Sequence, residues 1–272
     1  MKFVLLVLGA VSISTSANTT VGNAISIVGG GEAPIGTYLW TAGLRNSASG
    51  RTVCGGALIS PTWVLTAAHC VHQTSQTINF IAVGTHHFEG NSEGEAIAVV
   101  KTVVHPKYKN ELIGHDVALL QLERPSLFTP VKLSKKVVVP GDSVRLLGWG
   151  GVGGSFDDIG AQSPVLKQND FSVVANSECQ RRIRAIRIAP LTTWVATSTH
   201  MCAGGVRGQA ACQGDSGGPL VRMNADGSSS LVGDVSFGIP CADGFPDVYG
   251  RISEFVGFID QTATGHLWDD TS

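Results

Sequence analysis

Short apolar segments separated by turn residues recur from Ile27 to near the end of the chain. Apolar runs of this length bounded by glycine, asparagine and serine are typical of β-strands. The 34 glycines of the chain supply turns between these runs. No long helical repeat interrupts the pattern, which therefore predicts an all-β fold. The clearest segments are TYLWTAGL, ALISPTWVLTA, INFIAVGT, EAIAVVKTVVH, DVALLQLE, SVRLLGWG, SSLVGDVSFG and DVYGRI.

Two short helices are expected. In SEFVGFIDQ, Phe255, Phe258 and Ile259 follow helical spacing behind Ser253 as N-cap, which predicts a helix over 253–262. A second helix is predicted within 176–189, capped by Asn176 or Ser177, with Ile183 and Ile186 facing inward.

The second predicted helix carries four arginines, namely Arg181, Arg182, Arg184 and Arg187. They are interpreted either as an anion-binding surface or as the solvated face of the helix. The solvated face is the favoured interpretation.

The N-terminus has the pattern of a secretory signal peptide. Lys2 precedes a short apolar run and a zone of small residues, so residues 1–17 are expected to be removed after Ala17. Secretion would place the protein in an oxidising compartment, where the six cysteines are expected to form disulfides. Spacing alone does not choose among the pairings that six cysteines allow.

Composition and net charge indicate which classes of binding partner are expected. A net charge of −2 gives no electrostatic reason to expect nucleic acid or an anionic membrane as partner. The chain lacks short Cys-x-x-Cys pairs and clustered histidines, so neither a metal site nor a cofactor is predicted.

Three segments could together supply acyl-transfer chemistry. His69 stands in TAAHC, Asp116 in HDVALL and Ser216 in GDSGGP. A serine nucleophile needs a base within hydrogen-bond reach, and a buried carboxylate to fix the imidazole tautomer and stabilise the imidazolium. Each residue alone is weak evidence, whereas the three in this order predict a catalytic set.

The chain resembles the chymotrypsin/trypsin family of secreted serine proteases from IVGG at Ile27 to the terminal helix. The resemblance rests on CGGALIS, TAAHC, DVALL, GWG, CAG, CQGDSGGPL, VSFG and PDVY. It implies two packed six-stranded antiparallel β-barrels, over 27–140 and 141–252, with the active site between them and a helix at 253–262. The protease domain would span 27–272.

The resemblance also implies a role for each matched residue. Ser216 would attack the scissile carbonyl, His69 would carry the proton, and Asp116 would hold His69. The N–H groups of Gly214 and Ser216 would form the oxyanion hole, and Ser236 would support the aspartate. The implied disulfides are Cys54–Cys70, Cys179–Cys202 and Cys212–Cys241.

Activation by cleavage is a further implication of the resemblance. A new N-terminus at Ile27 would place its amine beside Asp215, after removal of a propeptide over 18–26. Residue 26 is serine, whereas trypsin activation requires Lys or Arg, so a different activating protease is expected. Asn18, in the only Asn-x-Thr sequon, would be lost with the removed segment.

The substrate pocket departs from the trypsin pattern. The position of the trypsin aspartate is Ala210, while Asp247 replaces the usual glycine of the opposite wall. This arrangement resembles crustacean collagenolytic proteases, which accept basic and large apolar side chains. Gly238 leaves the entrance open, and Phe237 replaces the usual tryptophan. Asp247 either faces the pocket, the favoured interpretation, or turns to a backbone amide or water.

The loop GTHHFEGNSEGEA lies where some family members bind calcium. Thr85 and His87 stand at early positions that would need oxygen ligands, and histidine is a poor calcium ligand. An ordinary surface loop is the favoured interpretation.

The predicted function is a secreted serine endopeptidase, expected to be a monomer, with broadened basic specificity. Its expected partners are protein or peptide substrates, an activating protease and protein inhibitors. The alternative is a secreted protease homologue that binds or inhibits another protein, such as those that block a host glucanase. Such homologues usually lose a triad residue, and this chain keeps all three. An esterase would require the order Ser–Asp–His in a parallel α/β pattern, which is not found.

Overall fold

The computed structural model describes residues 27–72, 77–90, 92–153, 160–239 and 241–269. The predicted signal peptide and propeptide, with Ser26 and Asn18, lie outside these residues. The described strands are β1 (Gly31–Glu32), β2 (Thr41–Arg45), β3 (Cys54–Ser60), β4 (Trp63–Thr66), β5 (Phe80–Val83), β6 (Glu95–Val104), β7 (Ala118–Leu122), β8 (Lys132–Ser134), β9 (Ser143–Gly148), β10 (Lys167–Val174), β11 (His200–Gly204), β12 (Pro219–Met223), β13 (Ser229–Phe237), β14 (Pro246–Arg251) and β15 (Trp268–Asp269).

The strands form two closed antiparallel barrels of six strands each, which confirms the predicted fold class. The first barrel has the order β2-β3-β4-β7-β6-β5. The second has the order β12-β9-β10-β11-β14-β13, and pairing of β13 with β12 closes it. Outside these barrels, β1 pairs with β10, and β8 pairs in parallel with β13 and β15.

Two helices accompany the barrels, α1 (Asn176–Arg184) and α2 (Val256–Thr262). The C-terminal helix is confirmed, but it begins at Val256 because Ile252–Glu254 form a separate 3-10 turn. Phe255 stands at its N-cap position without a side-chain cap bond, so the predicted capping role of Ser253 is wrong. Phe255 and Ile259 are buried, as their spacing predicted.

The predicted caps of α1 are also wrong. Ala175 is the N-cap residue of α1 and forms no side-chain cap bond. Asn176 donates instead to the carbonyls of Thr197 and His200, both at 3.0 Å, so its amide joins the helix to the segment leading into β11. Ile183 is buried, and Ile186 packs against the same apolar cluster.

The arginines of α1 do not form one free cationic surface. Arg181 bonds Glu178 at 2.6 Å, and Arg184 donates to the carbonyl of Trp194 at 2.7 Å. Arg182 donates to the carbonyls of Gly205 and Gly244. The guanidinium groups of these three arginines are therefore engaged within the protein, and the fourth predicted arginine, Arg187, lies beyond the end of α1.

Each barrel has its own buried apolar core. One core cluster fills the first barrel and extends to α2, and a second, which includes Ile27, fills the second barrel. Strand β3 is buried along its whole length, in keeping with a strand covered on both faces. Among the described residues, no helix combines the length and apolar character needed to cross a membrane.

Candidate active site between the two barrels

The predicted catalytic residues come from both barrels and meet at their junction. His69 lies in the 3-10 turn Ala68–Cys70 that follows β4, and Asp116 precedes β7, both in the first barrel. Ser216 precedes β12, and Ser236 belongs to β13, both in the second barrel. His69, Ser216 and Ser236 line one cleft of about 540 Å³.

The Asp116 carboxylate accepts three hydrogen bonds within the site. Its Oδ1 accepts the backbone N–H of His69 at 2.9 Å, and its Oδ2 accepts from His69 Nδ1 at 2.8 Å. Because an ionised carboxylate can only accept, the His69 ring carries its proton on Nδ1 and leaves Nε2 as the acceptor. Ser236 Oγ donates to Asp116 Oδ2 at 2.6 Å, so the second barrel also holds this carboxylate.

The protonation of His69 is set by opposing effects. Burial disfavours the imidazolium, but the hydrogen bond and charge of Asp116, with the charge of Glu111, outweigh burial and raise the pKa of His69. The side chain lines the cleft and keeps 25% exposure, so the imidazole is accessible to a reactant there. This combination suits a general base that becomes an imidazolium during the reaction.

The turn that presents Ser216 depends on glycine. Gly214 has a φ of +97°, a conformation that L side chains rarely adopt. Asp215 N–H donates to the carbonyl of Cys212 at 3.0 Å, and Gly218 N–H donates to that of Asp215 at 2.7 Å. The Ser216 carbonyl accepts from Gly55 N–H of the first barrel at 2.7 Å, which fixes the turn against β3.

Asp215 is fully buried beneath this turn. Its carboxylate accepts the N–H groups of Gly150 at 2.8 Å and Cys212 at 2.9 Å. Burial is the largest effect on it and raises its pKa to about 7, against the opposing effect of these two bonds. A Cβ on Gly148 or Gly150 would overlap this carboxylate, which explains the two glycines of the GWG motif.

The predicted activation residue Ile27 is fully buried in the core cluster of the second barrel, together with Ala211 and Leu220. Val28 forms a β-bridge with Ala210. The segment that begins at Ile27 is thus packed against the second barrel, next to the residues that carry the Ser216 turn.

The three disulfides implied by the family resemblance are present. Cys54–Cys70 joins β3 to the turn that carries His69. Cys179–Cys202 joins α1 to β11. Cys212–Cys241 links two residues that both line the cleft.

One wall of the cleft is aromatic. Phe237 lines the cleft and packs edge-to-face against Trp194, with ring centroids 5.6 Å apart. Trp194 Nε1 donates to the carbonyl of Leu112 at 3.0 Å, which holds the first-barrel segment that contains Glu111. Glu111 itself lines the cleft and places a negative charge near His69.

Asp247 lies behind the pocket wall. Its Oδ2 accepts the backbone N–H of Ala211 at 2.8 Å, the backbone contact that was the second interpretation of this residue. A Cβ on Gly238, which lines the cleft, would lie 2.5 Å from its Oδ1, so this oxygen occupies the space that a side chain at position 238 would take. The side chain is 2% exposed, and burial raises its pKa well above the usual value, as does the charge of Asp215.

Ala210 is buried below the cleft and packs with Val28, Cys212 and Ala242. The described lining of the cleft instead includes the next two residues, Ala211 and Cys212. The absence of a trypsin-like aspartate at 210 therefore leaves this part of the floor apolar.

The loop at the calcium position is organised by a carboxylate. Glu93 Oε1 accepts from Thr85 Oγ1 at 3.1 Å and from the backbone N–H groups of His86 and His87 at 2.8 and 2.6 Å. Thr85 and His87 thus bond to a side chain of the same loop.

One group of three potential metal ligands occurs among the described residues, Cys54, His69 and Cys70. Both cysteines are joined in a disulfide and therefore cannot bind a metal as thiolates.

Two residues of or near the site were not identified from the sequence, and a third, Arg182, was interpreted only as part of a solvated or anion-binding helix face. Glu111 lies in the cleft, Arg182 contacts two loops beside it, and Asp234 is fully buried two residues before Ser236. Glu111 and Arg182 follow no motif. The unusual feature of Asp234 is a charge within the apolar run LVGDV, which is visible in the sequence.

Comparisons with known proteins agree with this architecture. The family model described as Trypsin matches residues 27–259. Glucanase inhibitor protein 2 of Phytophthora infestans is 39% identical over 245 residues, covering 88% of this chain and 90% of the relative. Glucanase inhibitor protein 2 of Phytophthora sojae is 38% identical over 240 residues, covering 86% and 78%. The clotting factor G beta subunit of Tachypleus tridentatus is 33% identical over 254 residues, covering 88% and 80%.

Proposed function

The chain belongs to the trypsin family, and from that premise we propose that it is a secreted serine endopeptidase. The observation that carries the proposal is Asp116, which accepts hydrogen bonds from His69 of one barrel and Ser236 of the other beside Ser216. The bond from Nδ1 to Asp116 leaves His69 Nε2 free to serve as a base for Ser216, which lines the same cleft.

In the proposed mechanism, His69 Nε2 accepts the proton of Ser216 Oγ as this oxygen attacks the scissile carbonyl. Asp116 stabilises the resulting imidazolium, which then protonates the leaving amine. The N–H groups of Gly214 and Ser216 would donate to the oxyanion of the tetrahedral intermediate. Water, activated by the same imidazole, hydrolyses the acyl-enzyme and restores Ser216.

Processing at Ile27 is proposed to switch on this chemistry. The new ammonium would form an ion pair with Asp215, whose carboxylate is buried with two backbone donors and no cation among the described contacts. Removing one member of a buried ion pair costs about 3–5 kcal/mol. The uncut chain would therefore leave the Ser216 turn less well supported.

The proposed specificity includes Lys and Arg as well as large apolar side chains. The apolar floor at Ala211 suits Phe or Leu, whereas the Asp247 carboxylate next to Gly238 attracts a cation. Because Asp247 also accepts from Ala211, the attraction should be weaker than that of a trypsin aspartate at the pocket base.

A second candidate function follows from the names of the relatives. Two of the relatives reported above are called glucanase inhibitor proteins, and these names favour the alternative of a secreted inhibitor or binding protein. On that alternative, this chain would bind a secreted glucan hydrolase through its surface, with or without peptidase activity.

Two proteins, assayed in parallel, distinguish the two candidate functions. Wild type processed to begin at Ile27 and its Ser216→Ala variant are assayed on peptides with Lys, Arg, Phe, Leu or Ala before the cleaved bond. Both are also tested for binding and inhibition of a purified endo-β-glucanase. Cleavage by wild type alone supports the peptidase. Absence of cleavage, with glucanase inhibition by both proteins, would replace the peptidase by the binding function.

A further inference from the structure

Arg182 makes contacts that its neighbours on α1 do not make. Its Nη2 donates to the carbonyl of Gly205 at 2.6 Å and to the carbonyl of Gly244. Gly205 follows β11, and Gly244 precedes β14, so one guanidinium bridges two loops that are distant in sequence. The preceding residue of the helix provides a contrast, because the Arg181 side chain is 70% exposed and bonds Glu178 on its own helix.

The two bridged loops lead directly to the substrate pocket. The first runs from Gly205 to Ala210 at the pocket floor, and the second from Cys241 to Asp247 behind the pocket wall. At their pocket ends, Ala211 N–H donates to Asp247 Oδ2. Any change in the separation of the loops would therefore move the Asp247 carboxylate relative to the floor.

The two loops are also joined next to the pocket, by the Cys212–Cys241 disulfide and by buried packing of Ala210 with Ala242. Gly208 N–H donates to the carbonyl of Ala242 at 2.8 Å, and Arg207 pairs with Asp243 through a β-bridge. The Arg207–Asp243 ion pair is 3.5 Å long, with the arginine 80% exposed, and exposed pairs of this kind contribute little. Arg182 is partly buried, so its bonds to the loops are better shielded than the Arg207–Asp243 ion pair.

The sequence of the first loop accommodates the arginine. Gly205 has a φ of +84°, and a Cβ at this position would lie 2.7 Å from Arg182 Nη1. A glycine here therefore permits both the backbone conformation and the close approach of the guanidinium. The planar guanidinium can donate to two carbonyls at once, which a lysine ammonium does with less fixed geometry.

We propose that Arg182 is a positioning residue that holds the two loops behind the pocket at a fixed separation and so sets the substrate preference. The inference rests on the proposed peptidase function for its effect on selectivity. Arg182 does not touch the reacting atoms in this proposal. It acts through the Gly205 and Gly244 carbonyls on the placement of Ala211 and Asp247.

The test compares Arg182→Met with Arg182→Lys and with the matched control Arg181→Met. Methionine keeps much of the apolar stem and removes the donors. We expect Arg182→Met to raise KM for Lys and Arg peptides about tenfold, with a smaller change in kcat. This magnitude corresponds to the loss of one hydrogen bond made by a charged group. Cleavage of Phe peptides should change less, Arg182→Lys should restore part of the preference, and Arg181→Met should match wild type.

Hydrogen exchange provides a readout that does not depend on catalysis. In Arg182→Met, the amides of Gly208 and Ala211 should exchange faster than in wild type, while those of strand β3 should not change. Unchanged exchange at these amides, or faster exchange with an unchanged Lys-to-Phe ratio, would overturn the proposal. A folded, processed wild type without any cleavage would instead overturn the proposed function, and exchange would then decide the loop contact by itself.

Discussion

A buried aspartate lies at the proposed catalytic corner of the cleft and another lies beside its proposed substrate pocket, and the two form very different sets of hydrogen bonds. Asp116 accepts three hydrogen bonds, from the backbone and side chain of His69 and from Ser236. Asp247 accepts one described bond, from Ala211 N–H, and its second oxygen lies next to Gly238 of the cleft. Asp116 therefore has the bonding expected of an ionised group that orients another residue. Asp247 has acceptor capacity left over, which a cationic substrate could use.

The largest expected effect comes from Asp116→Asn. The asparagine amide can no longer accept from both His69 Nδ1 and Ser236 while favouring the His69 tautomer that is protonated on Nδ1. The value of kcat should therefore fall about 10⁴-fold, which is the loss found for this change in a related protease. Because Asp116 is also a cause of the raised pKa of His69, the acid limb of the residual activity should shift to lower pH. A kcat within tenfold of wild type would contradict the role given to Asp116.

The second prediction concerns Asp247→Asn. Removing this charge should reduce kcat/KM for Lys and Arg peptides about tenfold, as for loss of an interaction with a charged group, and leave Phe and Leu peptides nearly unchanged. Asp243→Asn is the matched control, because this carboxylate lies on the same loop and pairs with exposed Arg207. Equal losses on basic and apolar peptides would indicate a structural role for Asp247 alone.

A third prediction uses pH to compare the two aspartates. Burial raises the pKa of Asp247, so its charge develops at higher pH than that of an ordinary aspartate. The ratio of Lys to Phe cleavage should therefore rise with pH in wild type. This ratio cancels the titration of His69, which affects both substrates alike, and it should be independent of pH in Asp247→Asn. A ratio that is constant from pH 5 to 9 in wild type would count against this assignment.

The smallest effect is expected from Asp234, a third buried carboxyl. It is fully buried, its two oxygens have no partner among the described contacts, and burial together with the charge of Asp116 raises its pKa well above the usual value. Because the pKa of Asp234 is higher in the folded than in the unfolded chain, the unfolded chain loses this proton at lower pH. The free energy of unfolding therefore falls as pH rises above about 4, the usual pKa of an aspartate. Asp234→Asn should therefore be more stable than wild type at pH 7, by about 1 kcal/mol, and this advantage should shrink towards pH 4.

The free energy of unfolding is measured with denaturant across this pH range, and Asp226→Asn is a comparison variant with the opposite expected pH dependence. Ser228 lowers the pKa of Asp226, so the stability contributed by that group is present above its unfolded pKa and lost as pH falls. An Asp234→Asn variant that is less stable than wild type by the same amount at every pH would contradict the account of Asp234.

The two regions also differ in how far the sequence predicts them. The catalytic corner depends on residues within recognisable motifs, and the all-β pattern and the three disulfides follow from apolar spacing and family resemblance. The contacts of Asp247 and Arg182 depend on which backbone groups lie nearby after folding. No local pattern encodes that Ala211 N–H meets Asp247, or that Arg182 reaches two loops instead of solvent. The helix caps failed for a similar reason, since Asn176 forms tertiary bonds in place of a cap.

The measurement that tests the central claim most directly is covalent labelling of Ser216. Protein processed to begin at Ile27 is treated with a fluorophosphonate, and the adduct is located by mass spectrometry, with His69→Ala as the control for activation of the serine. The account predicts one stoichiometric adduct on Ser216 in wild type and none, on the same timescale, in His69→Ala. A folded, processed wild type that remains unlabelled at Ser216 would contradict it.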